Sequence, residues 1–295
     1  MCRPASSSIT QRPDYFIAPM ITLFKLLSVW PLWLLHGLGV VLGWLAFVVS
    51  PVYRKRFVSH VGLAGLTRHQ WMKAVGESGK LVLELPRLWL GRPVRVLWDG
   101  AELVEAALAQ GRGVVFLTPH LGCFEITAQA YAQRFGQAGK PMTVLFRPPR
   151  QTWLMALVGA ARLRPGLQTA PTTLSGVKQL IKALKNGESV GLLPDQVPPQ
   201  GMGVMAPFFG REAYTMTLSV RLVQQTGAMV LLAWGERLPL GRGYRVHVRP
   251  LAQALPAALP EAVTVINRAM ETLILQCPQQ YLWGYARYKP ARISA

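Results

Sequence analysis

Between Lys25 and Arg54 the chain carries no Asp, Glu, Lys or Arg, and residues 32–49 are almost all apolar. A run of about 20 apolar residues is long enough to cross the hydrocarbon core of a bilayer as a helix. Trp30 and Tyr53 stand near its two ends, where aromatic rings collect at membrane interfaces. A cleaved signal peptide is the competing reading, but the run is long for such a segment and no A-x-A processing site follows it. The pattern therefore predicts an uncleaved membrane-anchor helix over residues 26–53. Gly37, Gly39, Gly43 and His36 interrupt its apolar surface, which leaves a core helix or an interfacial helix as the alternative. Residues 1–25 read as a flexible segment opening on Arg3-Pro4-Ala5-Ser6-Ser7-Ser8, with Met20 as an alternative start.

Past the anchor the period of the apolar positions switches back and forth between that of helices and that of strands. Helices are predicted over 102–110, 124–135, 153–163, 174–185, 217–226 and 261–275, with Gly111 and Asn186-Gly187 as stop signals. Short apolar runs at 113–117, 142–146, 190–193 and 229–232 read as buried strands, and 244–249 alternates as an edge strand does. The Pro- and Gly-rich stretch 194–210 reads as a loop. Strands separated by helices predict an α/β fold, a mostly parallel central sheet flanked by helices, with the N-terminal membrane-anchor helix in front. No internal repeat or second boundary is visible, so residues 54–295 form one domain.

Composition narrows the class. The 295 residues hold 51% hydrophobic and 15% charged side chains, with 32 Lys+Arg against 13 Asp+Glu and a formal charge of +19. A chain this apolar can bury a core, which excludes a disordered protein. Charged residues run near 25% in an average domain, so the excess is as much a shortage of acids as a surplus of bases. That balance suits a surface facing anionic lipid, where each Lys or Arg gains roughly 1 kcal/mol. No RRM, KH or zinc-finger signature accompanies the charge, so nucleic acid is not an expected partner. Cys2, Cys123 and Cys277 form no C-x-x-C pair, and the five histidines show no metal-ligand spacing. The collar Arg54-Lys55-Arg56 after the anchor is denser than Arg3, Arg12 and Lys25 before it, which places the C-terminal side in the cytoplasm.

In sheets of this kind ligands bind at the carboxyl ends of the strands. Those ends carry His120 after the first strand, Arg147 after the second and Asp195-Gln196 after the third. Within Thr118-Pro119-His120-Leu121-Gly122-Cys123-Phe124-Glu125, His120 and Glu125 would lie about 140° apart on a continuous helix and could not meet. If His120 sits in the strand-to-helix loop and Glu125 in the first helical turns, the imidazole can fold back onto the carboxylate. A neutral His held at one nitrogen by a carboxylate is a general base for a hydroxyl nucleophile. Cys123 between apolar neighbours reads as a buried small hydrophobe, not as an acyl carrier.

The His120-x4-Glu125 pair after a strand combines with four further motifs in a characteristic order. These are Phe146-Arg147-Pro148, Leu193-Pro194-Asp195-Gln196, Pro207-Phe208-Phe209-Gly210 and Trp283-Gly284-Tyr285-Ala286-Arg287-Tyr288-Lys289. Together they resemble the lipid A biosynthesis late acyltransferases, the lauroyl/myristoyl transferase family, which is similar in its His-x4-acid motif to the broader glycerolipid acyltransferases. The resemblance implies transfer of a fatty acyl chain from acyl carrier protein to a hydroxyl of a lipid A precursor at the inner membrane, without a cofactor. It implies that His120 is the base, Glu125 orients it, Arg147 holds a phosphate of the sugar head group or of the carrier arm, Asp195 positions the acceptor or an arginine, Gln196 beside it binds substrate, and Arg287 meets phosphate or the membrane. Phe208-Phe209 becomes a candidate wall of the acyl tunnel. Two departures stand out: Tyr285-Ala286-Arg287 replaces the common His-x-Arg, and Pro148-Pro149 follows Arg147 with no Asn-Pro soon after.

An acyltransferase for another lipid acceptor, such as a lysophospholipid or an ornithine lipid or glycolipid, fits the same chemistry. A non-catalytic protein gripping acidic lipid through its charge is the reading from another class. On either acyltransferase reading, deleting residues 1–53 is expected to leave a folded domain, because the anchor is taken to pack little against the α/β core.

Overall fold

A computed structural model describes residues 17–146 and 164–291. Five helices come first: α1 (Ile17–Ser28), α2 (Leu32–Val49), α3 (Pro51–Leu63), α4 (Arg68–Leu83) and α5 (Leu85–Leu90). The membrane-length segment is thus not one helix over 26–53. Pro31, extended at φ −68° and ψ 144°, separates α1 from α2, and Ser50-Pro51 ends α2 and starts α3. The Ser50 hydroxyl accepts the Tyr53 backbone N–H, and Pro51 takes a first-turn position where its missing N–H does no harm. Helix α1 reaches back into the stretch read as flexible, and residues 1–16 lie outside the described residues.

The rest alternates as β1 (Val96–Asp99), α6 (Ala101–Ala109), β2 (Val114–Leu117), α7 (Phe124–Arg134), β3 (Met142–Phe146), β4 (Leu167–Pro171), α8 (Leu174–Lys185), β5 (Ser189–Leu192), β6 (Gly203–Phe208), β7 (Arg211–Met216), α9 (Leu218–Thr226), β8 (Met229–Arg237), β9 (Tyr244–Pro250) and α10 (Leu259–Gln276). Seven strands form one sheet in the order β1-β9-β8-β2-β5-β3-β4. All its pairings are parallel except β8 with β9. The mostly parallel α/β sheet expected from the alternation is the sheet observed. Every residue of β2 is buried, as a strand covered on both faces should be.

Three strand features differ from expectation. β9 has the one-face-buried alternation of an edge, yet β1 pairs outside it, so the edge is β1. β4 forms the opposite edge, and neither outer strand carries enough apolar periodicity in its few residues to be read from sequence. The stretch read as a loop contains the first strand of an antiparallel hairpin, β6 with β7, which turns at Phe209-Gly210. The helix expected over 153–163 falls outside the described residues.

Helix α2 is long and apolar enough to cross a membrane by length and composition. One stripe of it, Leu32, Leu35, His36, Gly39, Gly43 and Phe47, is buried. The opposite face leaves Trp33, Val41, Leu45 and Val48 more than half exposed. The buried stripe lies on α4, where the backbones come so close that a Cβ on Gly79 would sit on the Gly39 carbonyl oxygen. Small residues at the crossing permit that approach. The expectation that this helix packs little against the domain is therefore overturned.

The same stripe carries His36 into a buried polar network. Glu84, after α4, receives Arg237 Nε at 2.9 Å and Nη2 at 2.8 Å, the Tyr244 hydroxyl at 2.9 Å and His36 Nε2 at 3.3 Å. Burial alone would raise its carboxyl pKa, but the Arg237 charge and the hydrogen bonds from His36 and Arg237 outweigh burial and hold it at about 2. A carboxyl depressed in the folded state contributes stability above its unfolded value of about 4.3 and loses it as pH falls toward the folded value. Denaturant melts between pH 4.5 and 2.5 are expected to show wild-type stability falling steeply. Glu84→Gln should be weaker at pH 7 and much flatter across that window; an equal slope in both proteins would remove Glu84 from the account.

Candidate active site

Strands β2 and β5 are parallel neighbours whose register pairs Leu117 with Leu192. His120 and Asp195 each lie three residues beyond those ends, so the same register brings them face to face. Asp195 takes the His120 backbone N–H on Oδ2 at 2.8 Å and lies 2.7 Å from ring Nδ1 through Oδ1. One carboxylate thus holds both the main chain and the ring. Gln196, the next residue, places its amide nitrogen 2.9 Å from His120 Nε2. The His120 carbonyl accepts Leu282 N–H at 3.1 Å, and the Phe124 ring meets the imidazole edge-on at 4.9 Å.

The carboxylate on Nδ1 is therefore Asp195, and the ring does not fold back onto Glu125. Chain direction explains the difference. Leaving β2, the loop turns through Gly122 at φ +60°, where a Cβ would strike the Gly235 carbonyl, and Glu125 enters α7 beyond that turn. Glu125 is half-buried in the first turn of α7, near enough to Arg164 for its charge to bear on that guanidinium.

Asp195 is 2% exposed. Burial would raise its pKa, but the His120 charge, the two hydrogen bonds from His120 and the Arg287 charge lower it below the ordinary aspartate value. An ionised Asp195 can only accept, so Nδ1 carries the proton in the neutral ring. Nε2 then bears the free lone pair, capped here by the Gln196 amide. This is the tautomer a general base needs.

The other expected site residues divide. Arg147, the next residue in sequence after β3, lies outside the described residues. Arg287 is not a solvent-facing phosphate contact: it is 2% exposed, and its Nη groups reach the Tyr214 carbonyl and the Thr215 hydroxyl. Its guanidinium lies 5.0 Å from the Phe208 ring centroid, so it ties the C-terminal tail to the hairpin, and its charge bears on Asp195. Tyr285, where the family pattern commonly has His, accepts Val197 N–H at 3.0 Å and secures the chain just after Gln196.

A cavity beside His120 is lined by Phe116, Thr118, Phe124, Tyr131, Gly191 and Leu193, among others. Phe208 and Phe209 are not among its walls; they pack with His60, Trp283 and Tyr288 instead. The Tyr131 hydroxyl crosses one wall, 2.7 Å from Ser189 Oγ and 3.0 Å from the Lys140 carbonyl. The cavity is partly open to solvent and has a volume of about 50 Å³.

Residues 85–290 match the model of the bacterial lipid A biosynthesis acyltransferases, a span that holds the whole sheet and every residue of the site. The chain belongs to that family. As a member it is an acyltransferase of lipid A biosynthesis. It is 26% identical over 216 residues to the lipid A biosynthesis palmitoleoyltransferase of Escherichia coli (strain K12), covering 72% of this chain and 68% of that protein. It is 30% identical over 195 residues to the lipid A biosynthesis lauroyltransferase of the same strain, covering 64% of this chain and 60% of that one. With the lipid A biosynthesis myristoyltransferase of that strain it shares 24% over 194 residues, covering 64% and 57%.

In this acyltransferase Cys123 is unsuited to carry the acyl group. It is fully buried, and burial, followed by the Glu84 charge, pushes its thiol well above the ordinary cysteine value. The reactive form of cysteine is the thiolate, which this setting opposes.

Proposed function

We propose that this acyltransferase moves a fatty acyl chain from an acyl carrier protein thioester to a hydroxyl of a lipid A precursor, by direct attack assisted by His120. The observation that supports it is the His120–Asp195 pair, with Nε2 free to accept a proton, beside an apolar cavity at the strand ends. In this scheme the acceptor hydroxyl displaces the Gln196 amide from Nε2 and gives its proton to that nitrogen. Its oxygen attacks the thioester carbonyl carbon, the C–S bond breaks, and the leaving thiolate takes the proton back from the imidazolium. Asp195 holds the ring and offsets its charge while it is protonated. Gln196 hands the lone pair to the acceptor, and Arg147 holds a phosphate of the acceptor or of the carrier arm. Glu125, in the first turn of α7, acts through its charge on Arg164. No cofactor takes part.

The proposed place of action is the cytoplasmic face of the inner membrane. There the exposed face of α2 meets lipid, and exposed Arg54 and Lys55 meet anionic headgroups. Arg54 also bonds the Phe47 and Val48 carbonyls, the favourable place for a cation at a helix C-terminus.

The test is mass spectrometry of envelope lipids from cells with and without the protein. It is paired with purified enzyme offered a carrier-protein thioester or an acyl-coenzyme A. One additional acyl chain on lipid A, and a preference for the carrier-protein donor that weakens with salt, is the expected result. A change confined to a phospholipid, ornithine lipid or glycolipid would replace the acceptor; equal use of acyl-coenzyme A would replace the donor.

A further inference from the structure

We propose that Glu84 and Arg237 are positioning residues that tie the His120 loop to helix α2, so that the seating of that helix sets the rate of transfer; this rests on the reading of His120 as the base. The loop Leu121-Gly122-Cys123 is held by three main-chain contacts. Gly122 N–H reaches the Gln280 carbonyl at 2.9 Å, Cys123 N–H reaches the Gly235 carbonyl at 2.7 Å, and the Gly122 carbonyl accepts Arg237 Nη2 at 2.8 Å. Arg237 and Gln280 are themselves locked together. The Gln280 side chain accepts Arg237 N–H at 2.9 Å and donates to the Arg237 carbonyl at 3.1 Å. A catalytic loop two residues from His120 is thus clamped from both sides by one buried pair.

The clamp does not end at β8. Arg237 forks onto both oxygens of Glu84, which is 0% exposed, and Glu84 Oε2 also meets His36 on the buried stripe of α2. A continuous polar line therefore runs from α2 through Glu84 and Arg237 to the Gly122 carbonyl. Buried ion pairs are weak evidence of stabilisation, because desolvation offsets most of the attraction. Placement is what this geometry supplies instead. The line also has room to move: Arg237 Nη1 and Glu77 Oε2 lie 3.6 Å apart, both buried and without a hydrogen-bond partner. An approach of less than 1 Å by α4, the helix on which α2 rests, would close that bond and shift the guanidinium that holds Gly122.

The experiment uses the full chain in vesicles, with a carrier-protein thioester and a lipid A precursor, and compares His36→Ala, His36→Gln and Arg237→Lys. His36→Ala is expected to lower kcat tenfold or more while both KM values stay within twofold. Amide exchange at Gly122 and Cys123 should quicken about tenfold with β2 and β5 unchanged. His36→Gln should restore most of both, since its amide can donate to Glu84. Arg237→Lys, which cannot fork onto Glu84 and reach Gly122 together, should lose more. Wild-type kcat in folded His36→Ala would overturn the proposal, as would exchange that quickens across the whole sheet in step with lost folded protein. If Arg237→Lys fails to fold, the two His36 variants decide. If wild-type protein acylates no lipid A precursor, the functional reading fails alone, and exchange at Gly122 and Cys123 still judges the relay.

Discussion

His120→Ala is expected to lower kcat by about a thousandfold or more in a protein that melts within a few degrees of wild type. A positioned general base contributes roughly 10²–10⁴-fold. Fold retention follows from placement, since His120 lies in the loop beyond the end of β2, with 13% of its side chain exposed, and not within a strand or helix of the core. The sharper comparison is between the two carboxylates. Asp195 meets ring and main chain at 2.7 and 2.8 Å, whereas Glu125 makes no hydrogen bond to the imidazole. Asp195→Asn should therefore reduce kcat at least ten times more than Glu125→Gln, because the amide can hold Nδ1 in the wrong tautomer and cannot offset the imidazolium charge. Stopped-flow or radiolabel transfer assays on folded variants measure both. A folded His120→Ala with activity within a few-fold of wild type would end the base assignment, and the reverse order of the carboxylates would return Glu125 to the orienting role.

The sheet was legible where the pattern is strong. Val114-Val115-Phe116-Leu117 and Met229-Val230-Leu231-Leu232 are apolar throughout, as strands buried on both faces must be, and they pair side by side. The outer strands were not legible, because Val96-Leu97-Trp98-Asp99 and Leu167-Gln168-Thr169-Ala170-Pro171 are half-covered edges whose pairing comes from the neighbour and not from period. In the site, His120, Asp195 and Gln196 were all found from their place after strands. The pairing was missed because two residues five apart look like natural partners in a sequence, and two residues 75 apart do not. The signal was present all the same. Equal three-residue offsets from adjacent parallel strands put one opposite the other, once β2 and β5 are known to be neighbours. Glu84 and Arg237 gave no sequence signal, since each is an ordinary charge until burial makes its partner obligatory.

Deleting residues 1–53 is expected to abolish cooperative folding and not to release a soluble domain. The deletion removes Leu32, Leu35 and Phe47, all buried, and with α2 goes the cover over Val75, Gly76 and Gly79 on α4. Burying a large apolar side chain contributes about 1.5–3 kcal/mol, so three amount to roughly 5–9 kcal/mol before any other loss. Whole domains are stable by only about 5–15 kcal/mol. The deletion also takes His36 from Glu84 and Tyr53 from its place against Gly284 and Phe57. A gentler variant isolates the helix crossing: Gly79→Val in the full chain forces α2 away from α4, because its Cβ would occupy the Gly39 carbonyl position. That substitution should lower the melting temperature by about 5 °C or more, with the secondary structure of the sheet intact below the transition. The outward face, with Trp33, Val41, Leu45 and Val48, stays apolar in both proteins. The full chain should accordingly resist elution from vesicles by 1 M salt and alkaline carbonate, since ions screen charge and not apolar burial. A monomeric truncated domain with a sharp melt near that of the full chain would show that α2 is an appendage after all. Release of the full chain by salt alone would show that its exposed face does not enter lipid.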